Sequence, residues 1–240
     1  MNLQKLLTLV LVCLAASVFS VEPPPTNEPP EQVAAEPGSA DPAPTPAVRD
    51  GVVVVGSVTV DANQRTVSVT GWVNQVYGVI ELLACGPGGK THESVFVLDV
   101  NPVDLQTGLL LLGIKPGVPP TGLGEGAPSG PGLTLWVDWT ADEKPHSRRA
   151  EEFVFNEESG SRLEQTPWIF TGSVFEEGQF KALAEESLVA TYWDPWAIVN
   201  IPLSCGSDDT ILIVDTNTVP PLSTPIVMRF VAPPAGKEIE

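Results

Sequence analysis

The densest chemistry in this sequence flanks one glycine-rich turn. Cys85 precedes Gly86-Pro87-Gly88-Gly89-Lys90-Thr91, and His92, Glu93 and Ser94 follow it. A thiol beside an imidazole can lose its proton and become a nucleophile. If the flanking runs pair as a hairpin, Cys85 and His92 face each other with Cβ atoms about 4.5–5.5 Å apart. They are the candidate catalytic pair. Period-2 alternation sends Glu93 to the opposite face, and Glu81 shares the Cys85 face but lies about 13 Å away along the strand. No residue in the sequence presents itself as the group that would orient the imidazole. Glu93 and Ser94 are retained as candidate binding residues, since neither Ser94 nor Ser173 lies in GxSxG. The competing reading is structural: Cys85 as a small buried apolar residue, with His92 and Glu93 satisfying backbone groups near a tight turn.

A second cluster is aromatic. Trp193-Asp194-Pro195-Trp196, preceded by Tyr192, could form a platform for a sugar or a peptide, which makes Trp193 and Trp196 candidate binding residues; core packing is the alternative. Trp136 and Trp139 differ by three and so point to opposite faces of a strand. Cys85 and Cys205 could close a disulfide in an oxidising compartment. With only His92 and His146 as histidines, and no CxxC or HExxH, no metal site and no cofactor are expected. Asp208-Asp209 near Asp215 lacks the spacing of an EF-hand loop.

The elements that must position these residues follow from composition. Residues 1–20 read as a secretory signal peptide, with Lys5 before an apolar run from Leu6 to Ala16 and small residues Val18 and Ser20 before the cut. The run is too short to span a bilayer, and no later segment is long enough, so no transmembrane segment is expected after cleavage. Residues 21–50 hold nine prolines and six acidic residues and read as an acidic, disordered linker. From residue 51 to 240 the chain reads as a single domain. Val52–Val60 and Arg65–Trp72 suggest a strand–turn–strand, as do Leu133–Thr140 and Ser147–Phe155. Pro102–Leu112 is the best helix, with Val103, Leu105, Leu109, Leu110 and Leu112 able to share one apolar face. Residues 113–132 are a glycine- and proline-rich loop without the pattern of a phosphate cradle. The expected fold class is α+β and β-rich: a twisted, mostly antiparallel sheet packed on one main helix.

Several phrases then occur in a recognisable order: Glu81-Leu82-Leu83-Ala84-Cys85, His92-Glu93-Ser94, Leu111-Leu112-Gly113 and Leu135-Trp136-Val137-Asp138-Trp139. They are followed by Pro167-Trp168-Ile169-Phe170-Thr171-Gly172-Ser173, Asn200-Ile201-Pro202 and Val219-Pro220-Pro221-Leu222-Ser223-Thr224-Pro225. From about residue 55 to 233 the chain resembles the YdjY-type domain family of uncharacterised, exported, planctomycete-like bacterial proteins. Some members have been described as ferredoxin-like, but an iron–sulfur cluster needs more cysteines than this chain supplies.

The formal net charge is −18, and loss of Lys5 with the leader makes it more negative still. Such a polyanion is repelled by phosphate backbones, so nucleic acid is not an expected partner. The reading is therefore an exported accessory or binding domain of unknown ligand, in the periplasm or at the cell surface, with an envelope protein or a glycan as partner. Its alternatives are a thiol-dependent enzyme using Cys85 and His92, and a structural component of a cell-envelope assembly.

Overall fold

The computed structural model describes residues 50–234; the expected leader and, but for Asp50, the expected linker lie outside the described residues. Valine-rich stretches open the domain as Val52–Val55 (β1), Val58–Asp61 (β2) and Thr66–Val73 (β3), joined as an antiparallel meander. The β2–β3 turn is tied by Asp61, whose carboxylate accepts from the Asn63 and Gln64 amides at 2.9 Å. Leu82–Cys85 (β4) and Ser94–Leu98 (β5) follow, then helix α1 at Pro102–Leu111. The long strand Gly132–Ala141 (β6) turns into Lys144–Arg149 (β7). Short strands come next: Val154–Asn156 (β8), Ser161–Arg162 (β9), Trp168–Phe170 (β10), Phe175–Glu176 (β11) and Gln179–Phe180 (β12). Helix α2 (Lys181–Glu185) leads into Ser187–Ala190 (β13), Val199–Asn200 (β14), Leu212–Val214 (β15) and Pro225–Val231 (β16).

Strand order is β3–β16–β6–β10–β14–β13–β4–β5, and β5 pairs back onto β3. The sheet is thus a closed eight-stranded barrel. The two long strands make closure possible, because each serves two partners along one edge. Thr66–Ser68 of β3 pair with β2 while Gly71–Val73 pair with β5. Likewise the start of β6 pairs with β10 and its remainder with β7. At Gly71 the staves come so close that a Cβ would lie 2.2 Å from the Val97 carbonyl oxygen.

This corrects the expected sheet packed on one main helix. A sheet that closes on itself has no open inner face for a helix to cover. Its core is built from its own inward side chains: Val67 and Val69, Met228 and Phe230, Leu133 and Leu135, and Phe96, Trp168 and Phe170. Helix α1 forms as its sequence demands, with the Asn101 side chain capping the Val103 amide at 2.9 Å and Pro102 in the first turn. It lies against the β1–β2–β3 meander. A Cβ on Gly108 would stand 3.0 Å from Val58 and 3.4 Å from Val67. Leu105, Leu109 and Leu112 are buried, whereas Val103 and Leu110 face solvent. Among the described residues, no helix is long and apolar enough to cross a membrane.

Candidate functional site

Two regions gather the residues that could act: the seam where β4 lies between β5 and β13, and the outer face of β16, β6 and β7.

At the seam β4 and β5 run parallel, with Leu82 opposite Ser94 and Cys85 opposite Val97. The hairpin expected across the glycine-rich turn does not form. Residues 86–93 instead carry the chain back along β4, a short return for parallel neighbours, which usually need a dozen residues or more. Cys85 therefore faces Val97 on one side and Ser187 on the other, and His92 is not its cross-strand partner. His92 sits in the 3-10 turn Thr91–Glu93 with its side chain 75% exposed, 3.6 Å from the Glu93 carboxylate.

The thiol of Cys85 is completely enclosed, at 0% exposure, among Leu82, Val97, Ala190 and Ala197. Burial pushes its pKa up; a hydrogen bond with Ser94 works against this, and the charge of Glu186 adds to it. Such a thiol stays protonated at neutral pH and is a poor nucleophile. Ser94 in turn donates to the Lys90 carbonyl at 2.7 Å.

Around this seam Glu81 and Glu93 are joined by two charged residues that carry no motif in the sequence, Lys90 and Asp194. Lys90 pairs directly with Glu81 and lies 3.8 Å from Glu93. Partial burial opposes the Lys90 ammonium, but its bond to Glu81 and the nearby charges outweigh it and raise its pKa. Glu93 is raised by burial and by the Glu81 carboxylate beside it. Asp194, 5% exposed, accepts the Trp196 amide at 2.8 Å, and its own amide donates to Asn200 at 2.9 Å. Burial raises its pKa against the Trp196 and Ser187 hydrogen bonds. Glu81, too far along the strand to serve Cys85, has its partner in the lysine that closes the glycine turn.

The two candidate tryptophans part company. Trp193 is buried and donates to the Ile201 carbonyl at 3.0 Å. Trp196 is half-buried, with the Lys181 ammonium 4.9 Å above its ring. Cys85 and Cys205 are both free thiols. Cys205 is half-buried in the 3-10 turn Ser204–Ser207 and lines a small hollow with Arg162 and Ser161. Among the described residues, no three His, Cys, Asp or Glu side chains are grouped to hold a metal ion.

The second region is open. Register places Arg229 and Arg149 on either side of Trp136, and Val227 and Ser147 on either side of Asp138. Both guanidinium carbons lie 5.8 Å from the Trp136 ring centre. Arg229 donates to both oxygens of Asp138, through Nε and Nη2, and reaches Ser147 at 3.3 Å. Partial burial opposes ionisation of Asp138, but the hydrogen bonds from Arg229 and Ser147 outweigh it and lower its pKa. Trp139 turns the other way, edge-on to Phe153, and His146 stacks on it at 5.1 Å and 13°. Trp139, His146, Thr70, Thr140 and the Asp138–Arg229 pair line an open groove of about 710 Å³, and Trp136 lies outside that lining.

No curated protein and no solved structure matches the chain. The family model of the YdjY domain matches residues 58–230, which spans the barrel from β2 nearly to the end of β16. The chain belongs to the YdjY domain family, whose function is uncharacterised.

Proposed function

We propose that this chain is an exported binding domain that presents the outer face of β16, β6 and β7 to a glycan or a protein of the cell envelope. The observation that carries the reading is the groove itself. Here, among the described residues, the rings of Trp139 and His146, several hydroxyls and a charge pair of opposite signs share a concave, solvent-open surface. Sites that orient a ligand combine apolar area with a few fixed polar groups in this way. Local charge supports it too: in a chain of net charge −18, the Asp138–Arg229 pair leaves the groove without the repulsion that surrounds it. Export is supported by the leader-like residues 1–20, and the periplasm or the cell surface is the proposed address. A thiol-dependent reaction at Cys85 loses support from the enclosure and raised pKa of that thiol.

The test is retention of the purified chain on isolated, washed cell envelope, followed by competition with soluble peptidoglycan fragments. Retention that Arg229→Ala reduces at least tenfold supports the groove. Equal retention of wild type and variant, or none, overturns it. Competition by the fragments assigns the partner to glycan, and its absence to protein.

A further inference from the structure

We propose that residues Gly86–Lys90 form a strap over Cys85, and that the Glu186 side chain is the latch that holds it shut. Because β4 and β5 are parallel, this segment must double back along β4. In doing so it passes over the end of the strand: a Cβ on Gly89 would lie 3.1 Å from that of Cys85. The strap thus joins Leu82, Val97, Ala190 and Ala197 in enclosing a thiol at the end of a strand, although Pro87 and Gly88, two and three residues on, are exposed.

The latch is one residue making two bonds. Glu186 ends α2 in the left-handed conformation, with φ 51° and ψ 32°, an uncommon backbone for a residue other than glycine. That turn aims its carbonyl at the Gly86 amide, which donates at 2.9 Å, and its carboxylate at the Gly88 amide, which donates at 2.7 Å. The glycines of the strap are there for closeness. A Cβ on Gly86 would come within 2.2 Å of the Glu186 carboxylate, on Gly88 within 2.8 Å, and on Gly89 within 3.0 Å of the Glu186 carbonyl oxygen. The far end is held separately, by Glu81 on Lys90 and by Ser94 on the Lys90 carbonyl. Pinned at its end and latched in its middle, the strap can lift at the middle without unfolding the barrel, a local opening of the kind that precedes labelling of buried groups. Cys85 is the reporter of that opening.

The experiment is timed alkylation of the full-length chain at one fixed pH, with Cys85 and Cys205 followed separately by peptide mass spectrometry. Glu186→Gly removes the carboxylate and suits the left-handed backbone, so a merely structural role predicts labelling no faster than wild type. The latch predicts Cys85 labelling at least tenfold faster, with Cys205 labelling and the melting temperature unchanged. Gly88→Ala crowds the carboxylate off its amide but keeps its charge near the strap, so an equal acceleration in the two variants, which differ in that charge, is what opening predicts and a shifted thiol pKa does not. Acceleration of Cys85 alone in both variants sustains the proposal. An unchanged Cys85 in either variant, or Cys85 and Cys205 rising together with a fall in melting temperature, overturns it.

Discussion

Along β4 every side chain is buried, on both faces of the strand; along β6 of the same barrel, and along β7 paired to it, the outward side chains meet solvent. The first region holds a cysteine, two serines, a lysine and several carboxylates within a few residues of one another, yet each is tied to a neighbour and the thiol is sealed. The second holds little that would be chosen for reactivity, yet its rings and its charge pair stand open in a groove. The density of reactive residue types and their access to a ligand are separate properties. Here the loops that cross the seam separate them: the strap lies on one part of β4, and the 191–197 segment, knitted by Asp194 and Asn200, on another.

The contrast is sharpened most by truncation. Leu82→Ala, at the seam, should cost about 2–5 kcal/mol, whereas Val227→Ala, on the outer face, should change stability by roughly 0.5 kcal/mol or less; urea unfolding of both reads the difference. Equal costs would mean that the outer face is packed as tightly as the seam, and the groove reading would fall with it.

Next comes the pair of aspartates. Asp194→Ala strands the Trp196 amide and should cost about 1–3 kcal/mol. The two carboxylates should also carry opposite pH dependence. Asp194 is raised in the native state, so the native chain holds that proton more tightly than the unfolded chain. Its contribution is present below the ordinary carboxylate value of 3.8 and is lost as pH rises from there through the raised native value. Asp138 is lowered, so its contribution is present above 3.8 and is lost as pH falls through the lowered native value. Unfolding measured across pH for wild type, Asp194→Asn and Asp138→Asn should give difference curves of opposite slope; slopes of one sign would break the comparison. A small effect is also expected of Arg229→Met, which keeps the aliphatic stem and removes a half-exposed pair. It should cost about 0.2–1 kcal/mol, and high salt should shrink the difference.

Local pattern made the β2–β3 and β6–β7 hairpins and the start of α1 legible, because alternation, turn residues and a proline at the first helical turn act over a few positions; the turn at Gly56-Ser57 that divides the single expected strand Val52–Val60 into β1 and β2 was not. Closure was not legible, since it depends on Gly71–Val73 meeting Phe96–Leu98, and nothing local marks that meeting. The direction of β5 had a signal that went unused. Leu82-Leu83-Ala84-Cys85 and Val95-Phe96-Val97-Leu98 are unbroken apolar runs, the mark of strands buried on both faces and typical of parallel pairing. Gly-Pro-Gly-Gly reads as hairpin chemistry only if its glycines serve to turn the chain; here they serve to let it lie against Glu186. The sequence names Cys85, His92, Glu93 and Ser94 but pairs the thiol with His92; the structure sets Cys85 beside Ser94 and His92 beside Glu93, and the partners that fix them, Lys90, Glu186 and Asp194, lie in segments legible only as turns and rings.

One stave of the barrel has a kinetic consequence. β16, the last strand, lies between β3 and β6, pairing Thr66 with Val231 on one edge and Thr134 with the same residue on the other. A ribosome must therefore release nearly the whole domain before the ring can shut. Pairings so distant in sequence fold slowly, and the emerging chain stays threadable for as long as its final strand is missing.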